Sequence, residues 1–73
     1  MGELKRLSGK EVCKILSKFN FEEVRRKGSH VVMQRKGLEG TVTVPVPDHK
    51  ELRIGTLKAI IRQSGLQKKE FEL

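Results

Sequence analysis

The order of local patterns in this 73-residue sequence predicts an α+β domain in which one helix, three antiparallel strands and a second helix follow one another, α-β-β-β-α. Three observations indicate this order. A capped amphipathic segment comes first, an alternating valine–threonine segment follows it, and an amphipathic segment ending in glycine comes last. Because only one face of the predicted three-stranded sheet is apolar, both helices should cover that face, which leaves the other face open, polar and basic.

The first predicted helix begins with a capping box. Ser8 is a favourable N-cap, and Glu11 stands three residues later, where its carboxylate can accept from the N-cap N–H. An apolar stripe follows at helical spacing and consists of Val12, Ile15, Leu16 and Phe19. Asn20 is a residue type that ends helices in the left-handed conformation. Cys13 flanks the stripe, and we interpret it as a small core or boundary residue.

Two strands are predicted next, FEEVRRKG at 21–28 and SHVVMQRK at 29–36, with Lys27 and Gly28 as the tight turn between them. Met33 belongs in the core, and side chains alternate along a strand. His30 should therefore lie on or near the open face, where we expect it beside Thr41 or Thr43.

The clearest strand is TVTVPVP at 41–47, after a turn at 37–40, with its valines facing the core and its prolines marking an edge or an end. Leu52 then anchors a polar loop.

The last predicted helix is TLKAIIRQSGL at 56–66, with Gly65 as its C-terminal glycine. Its apolar stripe consists of Leu57, Ile60 and Ile61. We expect a single domain at 1–73 with its core at about 7–66 and a tail at 67–73 that forms a short turn in which Phe71 docks.

The chain carries 16 Lys and Arg against 9 Asp and Glu, a net charge of +7, so it should attract polyanions, nucleic acid above all. No apolar run approaches the length of a membrane span, and residues 1–7 lack the apolar segment of a signal peptide. One cysteine and two histidines are too few for a closed zinc site. We therefore expect a soluble cytoplasmic protein with no metal, no cofactor and no membrane partner.

The chain resembles the HicA family, also described as YcfA-like, which contains the toxins of type II toxin–antitoxin pairs. The residues that carry the resemblance are RKGSH at 26–30, TVTVPVP at 41–47 and ELRIGTLKAIIRQSGL at 51–66. The resemblance implies a double-stranded-RNA-binding-domain-like fold, ribosome-independent cleavage of mRNA, and a HicB-type antitoxin that masks the active site. The essential histidine of the family follows Gly-Ser, which is the position of His30. Val31 stands where many relatives have a second histidine, and Ile54 where many have proline.

Cleavage of RNA without metal requires attack by the 2′-hydroxyl, proton transfer from that hydroxyl and to the leaving 5′-oxygen, and positive charge near the phosphorus. Histidine changes charge near neutral pH, so His30 is the candidate catalytic residue. The candidate phosphate-binding residues are Arg25, Arg26, Lys27, Ser29 and Lys36. Ser29 can equally serve only to shape the turn. His49 and Lys58 are secondary candidates, and the predicted products end in a 2′,3′-cyclic phosphate and a 5′-hydroxyl.

Two other functions fit the same sequence. The first is a non-catalytic RNA-binding module on the same fold, in which His30 contacts phosphate only. The second is an interaction protein whose charge serves an acidic partner. The chain has no Trp or Tyr, and its three Phe suit a core better than a surface that stacks bases. Recognition of RNA is thus expected to rest on backbone and shape and to be sensitive to salt.

Overall fold

The computed structural model of the protein describes residues 7–72. Its elements in chain order are α1 (Gly9–Ser17), β1 (Glu22–Lys27), β2 (His30–Gly37), β3 (Gly40–Pro47), α2 (Ile54–Ser64) and a 3₁₀ turn (Lys68–Phe71). The predicted α-β-β-β-α order is confirmed. The expectation that no targeting segment is present concerns mainly residues 1–6, which lie outside the described residues.

Helix α1 begins and ends as the sequence predicts. The hydroxyl of Ser8 accepts from the N–H of Glu11 at 3.0 Å, and the Glu11 carboxylate accepts from the N–H of Ser8 at 2.9 Å. This reciprocal pair satisfies two N–H groups that a helix start would otherwise leave unpaired. After the helix, Asn20 has a φ of 72°, the left-handed conformation that turns the chain into β1.

The three strands form one antiparallel sheet in the order β1-β2-β3. The predicted tight turn at Lys27 and Gly28 is displaced by one residue. Lys27 pairs with His30, so the turn consists of Gly28 and Ser29. Gly28 has a φ of 61°, which glycine adopts without strain and which two-residue hairpin turns require.

Strand β1 contains a bulge. Glu23 lies opposite Met33 and Arg25 lies opposite Val32, so Val24 has no partner of its own in the register. A bulge shifts the alternation of side chains between the two faces for the residues that follow it. Every residue of β1 except Val24 is charged, and all of β1 is exposed.

The core lies between one face of the sheet and the two helices. The buried strand residues are Val31, Met33, Val44 and Val46. The buried hydrophobic residues of the two helices are Val12, Ile15, Leu16, Leu57, Ile60 and Ile61. Because α1 contacts β1 and β3 while α2 packs on β3, both helices cover this same face, as predicted.

The segments beyond β3 also close the core. The anchor Leu52 is 2% exposed, and Phe71 in the terminal 3₁₀ turn is fully buried, so both predictions for these residues are confirmed. Helix α2 begins at Ile54, two residues before the predicted start at Thr56. It ends at Ser64 and is capped by Gly65, whose φ of 76° confirms the predicted C-terminal glycine.

Strand β3 forms the second edge of the sheet. Its Pro45 and Pro47 lie opposite Val32 and His30 of β2. Proline is tolerated in a sheet where its nitrogen faces away from the neighbouring strand, so these prolines remove N–H groups from the outer edge of β3.

None of the helices between residues 7 and 72 is long and apolar enough to cross a membrane.

Candidate active site on the open face of the sheet

His30 stands at the first position of β2 and is exposed. Cross-strand partners in an antiparallel sheet point to the same face, and the partners of His30 are Lys27 of β1 and Pro47 of β3. The neighbour Val31 is buried beneath the helices. His30 therefore lies on the open face, as predicted.

The predicted neighbours of His30 on β3 are wrong. Thr41 and Thr43 lie opposite Lys36 and Gln34, near the other end of β2. The physical reason is the short turn at Leu38 and Glu39, which pairs the beginning of β3 with the end of β2. Pro47 at the end of β3 is consequently the residue that faces His30.

Three of the predicted phosphate-binding cations share the open face with His30. Arg25 lies opposite Val32, Lys27 lies opposite His30, and Lys36 lies opposite Thr41. Arg25 and Lys27 flank the histidine end of the face, and Lys36 lies towards the far end of β2. The open face thus carries a histidine among cations, all of which are exposed to solvent.

Arg26 does not share this face. It lies opposite the buried Val31, and its guanidinium Nη1 contacts Oδ2 of Asp48 at 2.8 Å. Ser29, the remaining predicted site residue, accepts the backbone N–H of Asp48 on its carbonyl oxygen at 2.6 Å. Asp48 therefore ties both β1 and the turn that precedes His30 to the end of β3.

The ion pair changes the proton affinity of both partners. The hydrogen bond from Arg26 holds the pKa of Asp48 below its ordinary value, and the same bond raises the pKa of Arg26. A carboxyl whose pKa is lowered by folding stabilises the folded state above its unfolded pKa, about 3.9 for aspartate. That contribution is lost as the pH falls through the lower pKa of the folded state.

We therefore expect Asp48→Asn to reduce stability at pH 6 and to have a smaller effect as the pH approaches 2. Thermal unfolding of both proteins across this range measures the difference. Glu39→Gln, which changes an exposed acid at the opposite end of β2, is the matched control and should show no such dependence. If the difference in thermal stability between the native and Asp48→Asn proteins stayed constant with pH, this result would contradict the stabilising role assigned to the Arg26–Asp48 ion pair.

His49 lies in the loop after β3, at the same end of the sheet as His30. Its carbonyl accepts the N–H of Gly9 at 2.8 Å, and the residue is exposed. It lines a hollow of about 400 Å³ together with Pro47, the partner of His30, and Thr56 of the first turn of α2. Within residues 7–72, no hydrogen bond joins the two imidazole rings. Lys58 is exposed on α2, on the other side of the sheet, so the structure does not bring it to His30.

Sequence reasoning missed a polar pair in the middle of the open face. The amide Nε2 of Gln34 donates to Oγ1 of Thr43 at 3.2 Å. Gln34 shares the face of His30 because the two residues are four positions apart on β2. The alternation of side chains along β2 was the only feature of the sequence from which this pair could have been predicted.

Cys13 is half-buried on α1, and burial is the largest cause that raises the pKa of its thiol, followed by the charges of Glu23 and Asp48. A raised pKa disfavours the reactive thiolate. The interpretation of Cys13 as a boundary residue is confirmed. In the part of the chain that the structure describes, no three His, Cys, Asp or Glu side chains form a group that could hold a metal ion.

Fold and site together define a small basic α+β domain whose helices cover one face of a three-stranded sheet and whose other face presents a histidine among cations. A family model described as the HicA toxin of bacterial toxin–antitoxin systems matches residues 9–66. The chain belongs to this family, and it is a toxin of a toxin–antitoxin system with an antitoxin as its partner. No curated protein matches the chain.

Proposed function

We propose that this toxin is an endoribonuclease that cleaves mRNA on the open face of its sheet. The observation that supports the proposal best is the convergence of His30 with Arg25, Lys27 and Lys36 on the face that neither α1 nor α2 covers. A polymeric substrate can lie on such a face, whereas a small domain has little volume for a deep pocket. The cations would bind phosphates of the RNA, and this binding positions the RNA without recognising its base sequence.

In the proposed reaction the 2′-hydroxyl of one nucleotide attacks the adjacent phosphorus. A new bond forms between the 2′-oxygen and phosphorus, the bond to the 5′-oxygen breaks, and one proton leaves the 2′-oxygen while one arrives at the 5′-oxygen. His30 performs one of these two proton transfers. Lys27, its cross-strand partner, and Arg25 stabilise the negative charge that develops on the phosphorane oxygens. Bulk water reaches this exposed face and is available for the other transfer.

The proposal predicts that cleavage does not require a metal ion. The purified protein should cut a defined single-stranded RNA equally well with and without a chelator, because every step above uses only the RNA, side chains and water. Mass spectrometry of the fragments should show 2′,3′-cyclic phosphate and 5′-hydroxyl ends. His30→Ala protein, purified in parallel, controls for contaminating nucleases. Loss of cleavage on chelation and its recovery with magnesium would overturn the proposed mechanism.

We further propose that the antitoxin is of the HicB type and covers the open face. A partner that covers this face must complement its charge, so its contact surface should be acidic. Such a partner would block access of RNA to His30 in the cytoplasm, where the substrate mRNA is present.

One observation favours a second candidate function, the non-catalytic RNA-binding module. Within residues 7–72, no side chain forms a hydrogen bond with the ring of His30, so no orienting group for a catalytic histidine is seen. Both functions predict RNA binding on the same face. They differ in whether RNA is cut and in whether cutting depends on His30.

A further inference from the structure

The open face contains a hollow of about 240 Å³ away from His30. Its lining residues come from the turn after α1, from β1 and from β2, and they are Asn20, Glu22, Val24, Gln34 and Lys36. Glu22 lies directly opposite Gln34 in the register, so both belong to the same face as His30. The hollow is therefore part of the surface on which the substrate would lie.

The lining combines an apolar wall with hydrogen-bonding groups. Val24 is 45% exposed, an uncommon state for a valine, because the bulge in β1 leaves it without a partner position on β2. Gln34 donates to Thr43 through Nε2, which fixes its amide. Its Oε1 accepts no hydrogen bond from residues 7–72 and can therefore accept one from a ligand. The carboxylate of Glu22 is a second acceptor on the same side.

We propose that this hollow, the base pocket, binds one nucleobase of the RNA strand and prefers a base with an amino group at the purine 6-position or the pyrimidine 4-position, adenine or cytosine, to uracil. This inference rests on the proposed function, since it assigns a substrate preference to the same face. An amino group donates to carboxylate and amide oxygens, whereas the exocyclic oxygens of uracil would meet the acceptors of Glu22 and Gln34. The apolar wall at Val24 contacts the base itself.

The position of the base pocket suits a neighbour of the cleaved nucleotide. Gln34 is four residues beyond His30, a separation of about 13 Å along β2. Lys36 follows Gln34 on the same face and can bind the phosphate that accompanies the bound base. An RNA strand lying along β2 would thus place one of its phosphates at His30 and a base further along the RNA in the base pocket.

Binding can be measured on His30→Ala protein, which holds RNA without cutting it. Fluorescence anisotropy with labelled oligo(A), oligo(C) and oligo(U) of equal length gives three affinities at one salt concentration. We expect oligo(A) or oligo(C) to bind at least about fivefold more tightly than oligo(U), the lower range for a base-specific contact. Adding Gln34→Ala or Glu22→Ala should reduce this ratio to about one. Gln63→Ala, an exposed glutamine on α2, is the matched control and should preserve it.

Equal affinity for the three oligonucleotides before any pocket substitution would overturn the inference, and so would a preference that survives both pocket substitutions. A protein that binds no RNA at low salt would overturn the inference and the proposed function together. A preference that depends on the pocket, in a native protein that cuts no RNA, would support the base pocket and reject the endoribonuclease. Circular dichroism of each variant confirms that loss of preference is not loss of folding.

Discussion

Replacing His30 with alanine is expected to lower the rate of RNA cleavage by about 10²–10⁴-fold, the usual contribution of a general acid or base. The side chain is exposed at the start of β2, so its removal should leave the fold intact. Induced expression should arrest growth and degrade mRNA with the native protein and do neither with the variant. Growth curves and mRNA profiles at matched protein levels measure both effects.

His49→Ala is the matched histidine control for this experiment. His49 lies at the same end of the sheet but uses its backbone carbonyl, through the bond to Gly9, to support the fold. Its substitution should lower cleavage by less than about tenfold. Equal activity of native and His30→Ala proteins would reject the catalytic role and favour the RNA-binding module. If His49→Ala lost as much cleavage activity as His30→Ala, the result would identify His49 as the second proton-transfer group.

Gly9→Ala is expected to destabilise the fold by about 2 kcal/mol, within the range for overpacking a tightly packed site. A Cβ at Gly9 would collide with the carbonyl oxygen of Pro47 and stand 3.0 Å from Cα of Asp48. Both are backbone atoms and cannot rotate away as a side chain would. In a domain of this size such a cost lowers Tm by about 8–16 °C. Thermal unfolding followed by circular dichroism measures the change.

Gly55→Ala provides the matched control, because a Cβ at Gly55 would meet no atom of residues 7–72 within 4 Å. Gly55 lies in the first turn of α2, where alanine is the better helix former by up to about 1 kcal/mol. This variant should therefore unfold at the native temperature or slightly above it. If Gly9→Ala behaves like Gly55→Ala, the close approach of α1 to the end of β3 does not contribute to stability as argued.

The helices could be predicted from the sequence because their signals are local. Ser8 and Glu11 are three residues apart, so the capping box needs no knowledge of the rest of the chain. Asn20 and Gly65 adopt the left-handed conformation that their residue types favour at helix ends. The spacing of the apolar residues alone predicted which face of each helix is buried, and burial of that face determines how the helices pack on the sheet.

Strand β1 could not be predicted in the same detail, because its bulge depends on pairing with β2. Strict alternation from Glu22 would place Arg26 on the open face and Arg25 on the covered one. The bulge at Val24 reverses this, so Arg25 reaches the open face and Arg26 reaches Asp48. The displacement of the turn to Gly28 and Ser29 is a related consequence of register, which is set by the whole sheet.

The candidate site was predictable only in part. His30 and the cations around it were found because Gly-Ser-His resembles a family motif and because the basic residues are close in sequence. The base pocket was not found, because its walls come from the turn after α1, from β1 and from β2, and they meet only after folding. The pairing of Gln34 with Thr43 likewise joins residues nine positions apart on different strands.

A toxin released from its antitoxin must remain dispersed while the edges of its sheet are exposed. Unpaired strand edges are templates on which further chains can assemble and aggregate. On β3 this assembly is hindered because Pro45 and Pro47 contribute no N–H group to the outer edge. On β1 it is hindered by the bulge and by the charged side chains that occupy every position except Val24. Free chains should therefore resist self-assembly through these edges.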